Sequence, residues 1–408
     1  MKRRQLLRNL SILPFAGGIL GSLFPFQTAN ANFRSRGKRD LFKELGVRTF
    51  INAAGTYTFM TGSLMHDYVV DAIRNSSSDF CLLDELQDKV GAKIATMVHA
   101  ESAVVTSGAF SALTLGLAGV LTGMDQKKVE QLPHLEGTDL KSEVICQKGH
   151  EIVYNHAFLN TGCKVITVET VEDVEKAISE KTALLSFINI LSDKGKISHE
   201  EWIALGKKYN IPTCIDIAAD VPPVSNLWKF NDMGFDFVVI SGGKAIRGPQ
   251  SAGILMGKKS IIDAARLHML PRGFNIGRGM KINKEEILGM YVALEQYLVY
   301  DHEKEWKEWE KRIAHIESKV KPIQGITTKV TVPPLGNITP TLAISWDTNI
   351  VKVPAKDLRE KLRNGTPSIE VVGVNDNTIS ITTWVMKPGE EKIVGRRLAE
   401  EFSNAPKS

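Results

Sequence analysis

The stretch FDFVVISGGKAIRGPQ, residues 235–250, decides the fold. Its first six residues form a nearly continuous apolar run, which is typical of a parallel strand buried on both faces. Ser241 and two glycines follow, and then comes Lys244. In open α/β sheets, ligands bind beyond the carboxyl ends of the strands, and glycine lets the backbone approach a ligand closely. The stretch therefore predicts Lys244 at the ligand-binding edge of a sheet. A turn with an exposed lysine is the alternative.

A second strand pattern, TCIDIAAD at residues 213–220, carries Asp216 between apolar neighbours. A buried carboxylate needs a partner, and the N–H of a pyridinium ring is one. A lysine that can form a Schiff base with an aldehyde, together with an aspartate on the ring nitrogen, is what pyridoxal 5'-phosphate (PLP) chemistry requires. The alternative is that Asp216 caps the next helix.

A third segment joins a short β-branched run to a helix of small residues. It contains Thr106, Ser107, Gly108 and Ala109. Backbone N–H groups at a helix start, with hydroxyls beside them, form an anion site. The segment therefore predicts a phosphate loop.

The wider pattern predicts an α/β fold. Strand-like runs alternate with helical stretches from about residue 90 to 280, which indicates a mainly parallel sheet covered on both faces. Beyond that, residues 284–318 are charged and helical. Short strands and turns with one helix at 355–364 follow over residues 320–384, and a final helix is expected at 387–404, which together predict a smaller α+β domain. The expected organisation is a signal at 1–31, an N-terminal arm at 32–60, a large PLP-binding domain at 61–285, and a long helix with a small domain at 286–408.

The first 31 residues are typical of an export signal. Lys2, Arg3 and Arg4 precede an apolar segment, and Ala29-Asn30-Ala31 gives a small-x-small cleavage site. The arginine pair resembles a twin-arginine signal. The apolar run is interrupted by prolines and is short for a membrane span, which is the alternative. We expect export to the periplasm by the twin-arginine route, with no stable membrane anchor after cleavage.

Composition excludes several other classes. The 408 residues are 43% hydrophobic and 24% charged, as in soluble globular proteins. Four cysteines without a C-x-x-C pair, and no H-E-x-x-H, predict neither a disulfide scaffold nor a metal site. The formal charge of +5 falls to +1 beyond residue 31, so nucleic acid is an unlikely partner.

The order phosphate loop, aspartate, lysine resembles that of fold-type I PLP enzymes. The local sequence motifs resemble those of the selenocysteine synthase (L-seryl-tRNA(Sec) selenium transferase)-like family, which includes D-glucosaminate-6-phosphate ammonia-lyase. The segments that carry this resemblance are INAAGT (51–56), VTSGA (105–109), Asp216, SGGKAIRGPQ (241–250) and GRGMK (277–281).

The resemblance implies roles for individual residues. Lys244 would hold PLP as an internal aldimine and then transfer protons, and Asp216 would keep the ring nitrogen protonated. The groups expected on the phosphate are Thr106, Ser107, Gly108, Ala109 and Ser241.

Other roles stay open. Either His150 or His156 would stack on the ring. Thr56, Arg247 and Arg278 would contact the substrate, although a structural ion pair is an equal alternative for each arginine. The resemblance also implies a homodimer or higher homo-oligomer, with the 284–318 segment as a candidate for the interface.

The expected reaction is α,β-elimination on a free amino acid or amino sugar acid, giving ammonia and a keto acid. The alternatives are an aminotransferase, aldolase or racemase with the same site, a seryl-tRNA selenium transferase, or a periplasmic binding protein without turnover. The near-neutral charge and the export signal argue against tRNA as the substrate.

Overall fold

The computed structural model describes residues 39–406, so the expected signal at 1–31 lies outside the described residues. Residues 39–49 form a unit of their own. Within it, the helix α1 (Leu41–Glu44) is capped by Asp40, whose side chain accepts a hydrogen bond from the Lys43 N–H at 3.1 Å.

Strands and helices alternate through the first part of the remaining chain. They are β1 (Phe50–Asn52), α2 (Asp67–Ser76), α3 (Leu83–Met97), β2 (Ser102–Thr106), α4 (Ala109–Thr122), α5 (Gln126–Gln131), β3 (Glu143–Gln147), α6 (His156–Leu159), β4 (Lys164–Val168), α7 (Val171–Ala177), β5 (Thr182–Ile188), α8 (His199–Tyr209), β6 (Thr213–Asp216), α9 (Asn226–Met233), β7 (Phe237–Ser241), β8 (Gly253–Gly257) and α10 (Lys259–Leu267).

A second group of elements completes the fold. They are α11 (Lys284–Val299), α12 (His302–Val320), β9 (Ile326–Thr331), β10 (Thr341–Trp346), α13 (Ala355–Asn364), β11 (Ser368–Glu370), β12 (Val372–Asn375), β13 (Thr378–Thr382) and α14 (Glu390–Ser403).

Seven strands form the large sheet, in the order β2-β8-β7-β6-β5-β3-β4. Only β8 runs against its neighbours, so β2 points the same way as β7. The carboxyl ends of β2, β5, β6 and β7 therefore share one edge of the sheet. This arrangement confirms the predicted mainly parallel α/β class.

Burial on both faces explains the continuous apolar strands. All seven residues of β5 are buried, as are the first four of β7. The helix α4 packs so closely on the sheet that a Cβ at Gly116 would lie 2.7 Å from the ring of Phe237. That contact explains why a helix at this position is built from small residues.

The C-terminal region contains a separate antiparallel sheet, in the order β12-β13-β10-β9, and its own apolar core. A further sheet of two strands joins two distant parts of the chain, because β1 pairs in parallel with β11. Ile51 and Ala53 are buried in this second core.

The helical segment predicted at 284–318 is not continuous. It breaks after Val299, and α12 begins at His302, because the side chain of Asp301 accepts a hydrogen bond from the Lys304 N–H at 2.9 Å. Aspartate at this position caps a new helix rather than extending the old one. Within residues 39–406, none of the helices is both long and apolar enough to cross a membrane.

Candidate active site

Lys244 lies in the loop between β7 and β8, three residues after Ser241. We call this loop, residues 242–252, the lysine loop. The loop is fixed by backbone contacts. The hydroxyl of Ser63 donates to the carbonyl of Lys244 at 2.6 Å, and a Cβ at Gly243 would lie 2.4 Å from the Cα of Gln250. Glycine is therefore required at 243, and the close packing fixes the position from which the lysine side chain extends.

Burial lowers the pKa of Lys244, and the nearby carboxylates of Asp216 and Asp220 partly oppose this effect. A lower pKa leaves more of the amine neutral at physiological pH. A neutral amine is the nucleophile that forms a Schiff base with an aldehyde.

Asp216 is the last residue of β6 and is buried, with 8% of its surface exposed. Its Oδ1 accepts a hydrogen bond from the Ala218 N–H at 2.8 Å. Burial raises the pKa of Asp216, whereas the Ala218 N–H and the charge of Lys244 lower it. Each of the two groups thus acts on the ionisation of the other, so the structure brings the predicted aspartate and lysine together.

The predicted phosphate loop lies at the same edge of the sheet. Gly253 on β8 pairs with Thr106 on one side and with Ser241 on the other. Adjacent strands are about 4.8 Å apart, so roughly 10 Å separates the backbones of these two residues. The loop and the lysine strand are therefore within reach of one small ligand.

The amino end of α4 is suited to an anion. Gly108 precedes the helix with φ of 91°, and no side chain caps this end. The hydroxyl of Thr106 donates to the Gly108 carbonyl at 3.0 Å, and that of Ser107 to Ser111 Oγ at 3.0 Å. The first N–H groups of a 14-residue helix thus lie beside two hydroxyls at the ligand-binding edge.

The two candidate histidines differ in their surroundings. His150 is fully buried after β3, accepts a hydrogen bond from the Ile188 N–H at 3.3 Å, and contacts the edge of Phe187. Burial lowers its pKa to about 4. His156 begins α6 and is exposed. In the sheet, β5 alone separates β3, which His150 follows, from β6, which Asp216 ends. His156 lies on the surface. Ring stacking stays a prediction for either.

The three predicted substrate residues are not brought together equally. Thr56 is buried, and its hydroxyl donates to Asn337 Oδ1 at 3.3 Å, while the Asn337 N–H binds the carbonyl of Ala219 at 2.7 Å. This chain of contacts connects Thr56 to the loop after Asp216. Arg278, in contrast, is exposed in the turn region before α11.

Arg247 is half-buried and has φ of 54°, a conformation that is rare for residues with a side chain. Its Nη2 donates to the carbonyl of Trp384 at 2.6 Å. Arg247 also lines a cavity of about 1080 Å³ together with His66 and Glu305. The structure therefore presents a cation three residues after Lys244, at a cavity large enough for a substrate.

Three polar residues of this region lie outside the predicted set. Ser63 fixes the lysine loop, Asn189 follows β5, and the carboxyl group of Asp220 is buried four residues after Asp216. The strand-end rule applies to Asn189 as it does to Asp216, so the sequence did carry a signal for it. For Ser63, 180 residues from its partner Gly243, the sequence carries none.

The family model for aminotransferase class-V matches residues 72–279, which include the phosphate loop, Asp216 and Lys244. The chain belongs to this family. Its cofactor is PLP, and the residues present fit that group. They provide an amine of lowered pKa, a buried carboxylate and an uncapped helix start at one edge of the sheet. When bound, PLP withdraws electrons from the carbon that carries the substrate's amino group.

The curated relatives are named for different reactions. The chain is 25% identical to a D-glucosaminate-6-phosphate ammonia lyase of Salmonella typhimurium, over 90% of this chain and 99% of that protein. It is also 25% identical to a 5'-C-glycyluridine monooxygenase-decarboxylase of Streptomyces sp, over 88% and 91%. An L-seryl-tRNA(Sec) selenium transferase of Alkaliphilus oremlandii is 27% identical over 63% and 59%. These relatives bear out the predicted family resemblance.

A solved structure agrees with the fold. The structure of a D-glucosaminate-6-phosphate ammonia-lyase superposes with a TM-score of 0.78 at 24% identity, covering 90% of this chain and 99% of that chain. The protein is therefore an enzyme of the PLP-dependent lyase and transferase group, with the fold-type I architecture that the sequence predicts.

Proposed function

We propose that the protein catalyses an α,β-elimination on a free amino acid or amino sugar acid, releasing ammonia and a keto acid. The observation that carries this proposal is the convergence of Lys244, Asp216 and the start of α4 on one sheet edge. The similarity to the Salmonella ammonia lyase, over nearly the whole of that protein, supports the reaction class.

Each group of the chain has a defined task in this reaction. Lys244 Nζ would hold the cofactor, and as a neutral amine it would take the proton from the substrate carbon beside the amino group. The substituent on the next carbon would leave with its bonding electrons, and water would then hydrolyse the product to ammonia and the keto acid. Asp216 holds a proton on the ring nitrogen through a charge-assisted hydrogen bond. The phosphate is bound by the first N–H groups of α4 and by hydroxyls. The residues involved are Thr106, Ser107, Gly108, Ala109 and Ser241.

Arg247 is the residue we assign to an anionic group of the substrate. Its guanidinium is positioned by the carbonyl of Trp384, which leaves further N–H donors for a ligand in the adjoining cavity. A carboxylate or phosphate accepts two parallel hydrogen bonds from arginine. This favours a sugar acid or amino acid over an uncharged amine. Arg278 is exposed and does not line this cavity.

A panel of amino acids and amino sugar acids tests the proposal. The mature protein, loaded with PLP, should release ammonia and a keto acid in equal amounts from at least one member. Lys244→Ala should release neither and should hold no cofactor that borohydride can fix. Lys258→Ala is a matched control, because Lys258 pairs with Asp236 away from the site. Release of a keto acid without ammonia would contradict elimination.

A second reaction class uses the same site. The Streptomyces relative, whose name includes a decarboxylase, covers nearly as much of the chain as the ammonia lyase does. Loss of the carboxylate as carbon dioxide, rather than of the proton, would leave cofactor binding by Lys244 and the role of Asp216 unchanged, but Lys244 would then deliver a proton to the carbon instead of taking one. Carbon dioxide release in the same panel, without ammonia, would favour this class.

We also propose that the protein is exported to the periplasm by the twin-arginine route and works as a homodimer. Lys2, Arg3 and Arg4 before an apolar segment support export. Exposed apolar side chains near the lysine loop support a subunit interface. Phe59 and Leu64 flank Ser63 and are 77% and 56% exposed.

A further inference from the structure

Asp220 has a buried side chain without an ordinary hydrogen bond. It lies in the loop that leaves β6, with 2% of its surface exposed, and neither carboxyl oxygen has a hydrogen-bond partner among residues 39–406. Its backbone is fixed, because its N–H donates to the Ile217 carbonyl at 3.1 Å and its carbonyl accepts from Asn226 Nδ2 at 2.7 Å. An ionised carboxylate in such a place is costly, so this group needs an explanation.

The surroundings of Asp220 come from five parts of the fold. Asp216 on β6 and Lys244 after β7 are the charged groups that act on it. The side chain of Asn189, after β5, and the backbone of Gly336 favour its ionised form without reaching ordinary hydrogen-bond geometry. His199 on α8 completes the set, because its Nε2 lies 2.9 Å from Asn189 Oδ1.

Two carboxyl groups and one lysine thus share a buried site. When like charges occupy one site, one of the two groups retains its proton. Asp216 accepts a hydrogen bond of 2.8 Å from the Ala218 N–H, which stabilises its negative charge, whereas Asn189 and Gly336 do not reach such geometry with Asp220. The proton therefore resides on Asp220. Burial, with the charge of Asp216, raises the pKa of Asp220 to about 7.

We propose that Asp220 is a positioning residue that carries a proton up to neutral pH, so that in this range Asp216 is the only carboxylate acting on the cofactor nitrogen. The proposal rests on the PLP site and not on the elimination reaction. When Asp220 ionises at higher pH, a second negative charge appears beside Asp216 and Lys244. That charge increases the proton affinity of nitrogen atoms in the site.

Infrared spectroscopy of the PLP-loaded protein tests the protonation directly. Below pH 7 the wild type should show the carbonyl band of a protonated carboxylic acid, shifted in heavy water, and the band should fade as pH rises through neutrality. Asp220→Asn should lack it. Asp193→Asn is the control, because Asp193 is an exposed partner of Lys194. Absence of the band in the wild type, or its persistence in Asp220→Asn, would overturn the proposal.

A spectroscopic titration tests the coupling and needs no turnover. The visible band of the bound cofactor should titrate in Asp220→Asn at a pH lower by about one unit, a tenfold change in proton affinity, because the second negative charge is gone. Equal midpoints in the two proteins would mean that Asp220 only fills space. If Asp220→Asn fails to fold, Asp220→Glu takes its place, because the longer side chain should change the position of the band if the band belongs to residue 220. An inactive protein with the expected spectra would reject the elimination but not this proposal.

Discussion

Asp216 and Lys244 act on each other's ionisation in a site that excludes most water. The same burial that lowers the pKa of the lysine raises that of the aspartate. The charge of Lys244 is stabilised first by Asp216, whereas that of Asp216 is stabilised first by the Ala218 N–H and then by Lys244. A cofactor with a protonated ring nitrogen would take over from Lys244 as the partner of Asp216. The aspartate is therefore the residue whose charge, rather than shape, should matter most for turnover.

Asp216→Asn tests this distinction. The variant keeps the shape of the side chain and removes its charge, so the ring nitrogen loses its proton. We expect turnover to fall by about two to three orders of magnitude, at about 1.4 kcal/mol per tenfold, while PLP content stays near normal. Turnover and cofactor content should be measured on the same preparation, with Asp232→Asn as an exposed control. Near-normal turnover would reduce Asp216 to a structural role.

The buried carboxyl group of Asp220 should also make the free energy of unfolding depend on pH. Its pKa is about 7 in the folded protein and about 3.9 in an unfolded chain. Between these values the folded state holds the extra proton, so this group's contribution to the free energy of unfolding falls as pH rises from about 4 to about 7. The stability of the wild type minus that of Asp220→Asn should therefore fall across this window, by at most about 4 kcal/mol. Urea unfolding of both cofactor-free proteins measures it, and parallel pH dependences would contradict the shift.

At the scale of elements, the apolar strands were predictable because burial on both faces leaves an uninterrupted signal. The region of 235–241 shows this most clearly. Other features have no local signal. The three-residue strand β1 pairs with β11 more than 300 residues later, and the helix break at Asp301 depends on a cap that resembles any other exposed aspartate. The burial that distinguishes His150 from His156 is not visible in their spacing, and ring stacking stays a prediction for either residue.

The lysine loop offers a test at this scale. Gly243→Ala places a Cβ within 2.4 Å of the Gln250 Cα, so the loop must move. Overpacking costs about 1–3 kcal/mol, which corresponds to roughly 5- to 150-fold weaker PLP binding if the cost falls on the loaded site. Gly273→Ala is the matched control, since its Cβ would meet nothing within 4 Å. Cofactor titration of both variants decides it, and equal affinities would show that the loop tolerates displacement.

For the whole molecule, the family was predictable because the order of phosphate loop, aspartate and lysine resembles that of fold-type I PLP enzymes. The fold then brings these three segments to one edge of the sheet. The sequence could not show that a buried hydrogen bond joins Thr56 to Asn337 across 281 residues, since neither residue belongs to a periodic pattern. The domain limits at 61–285 and 286–408 stay a prediction, and so does the signal.

Export should depend on the arginine pair. Replacing Arg3 and Arg4 with lysine keeps the charge of the segment but removes the pair that the twin-arginine signal requires. The altered precursor should accumulate in the cytoplasm, whereas the unaltered chain reaches the periplasm. Cell fractionation with antibody detection measures both, and Lys2→Arg serves as a control that keeps the pair. Normal export of the altered chain would indicate the general secretory route.

Assembly is the last consequence of the surface. Phe80, Leu82 and Phe274 are 103%, 73% and 87% exposed, and an isolated soluble chain rarely leaves such side chains in water unless they serve contact. A second copy of the chain covering them would bury this apolar surface. We expect light scattering to give at least twice the mass of one chain, and Leu82→Asp with Phe274→Asp to shift it toward the monomer with loss of activity. Val332→Asp is the control, because Val332 is also exposed, at 47%. A PLP-loaded monomer with full activity would show that one chain completes the site alone.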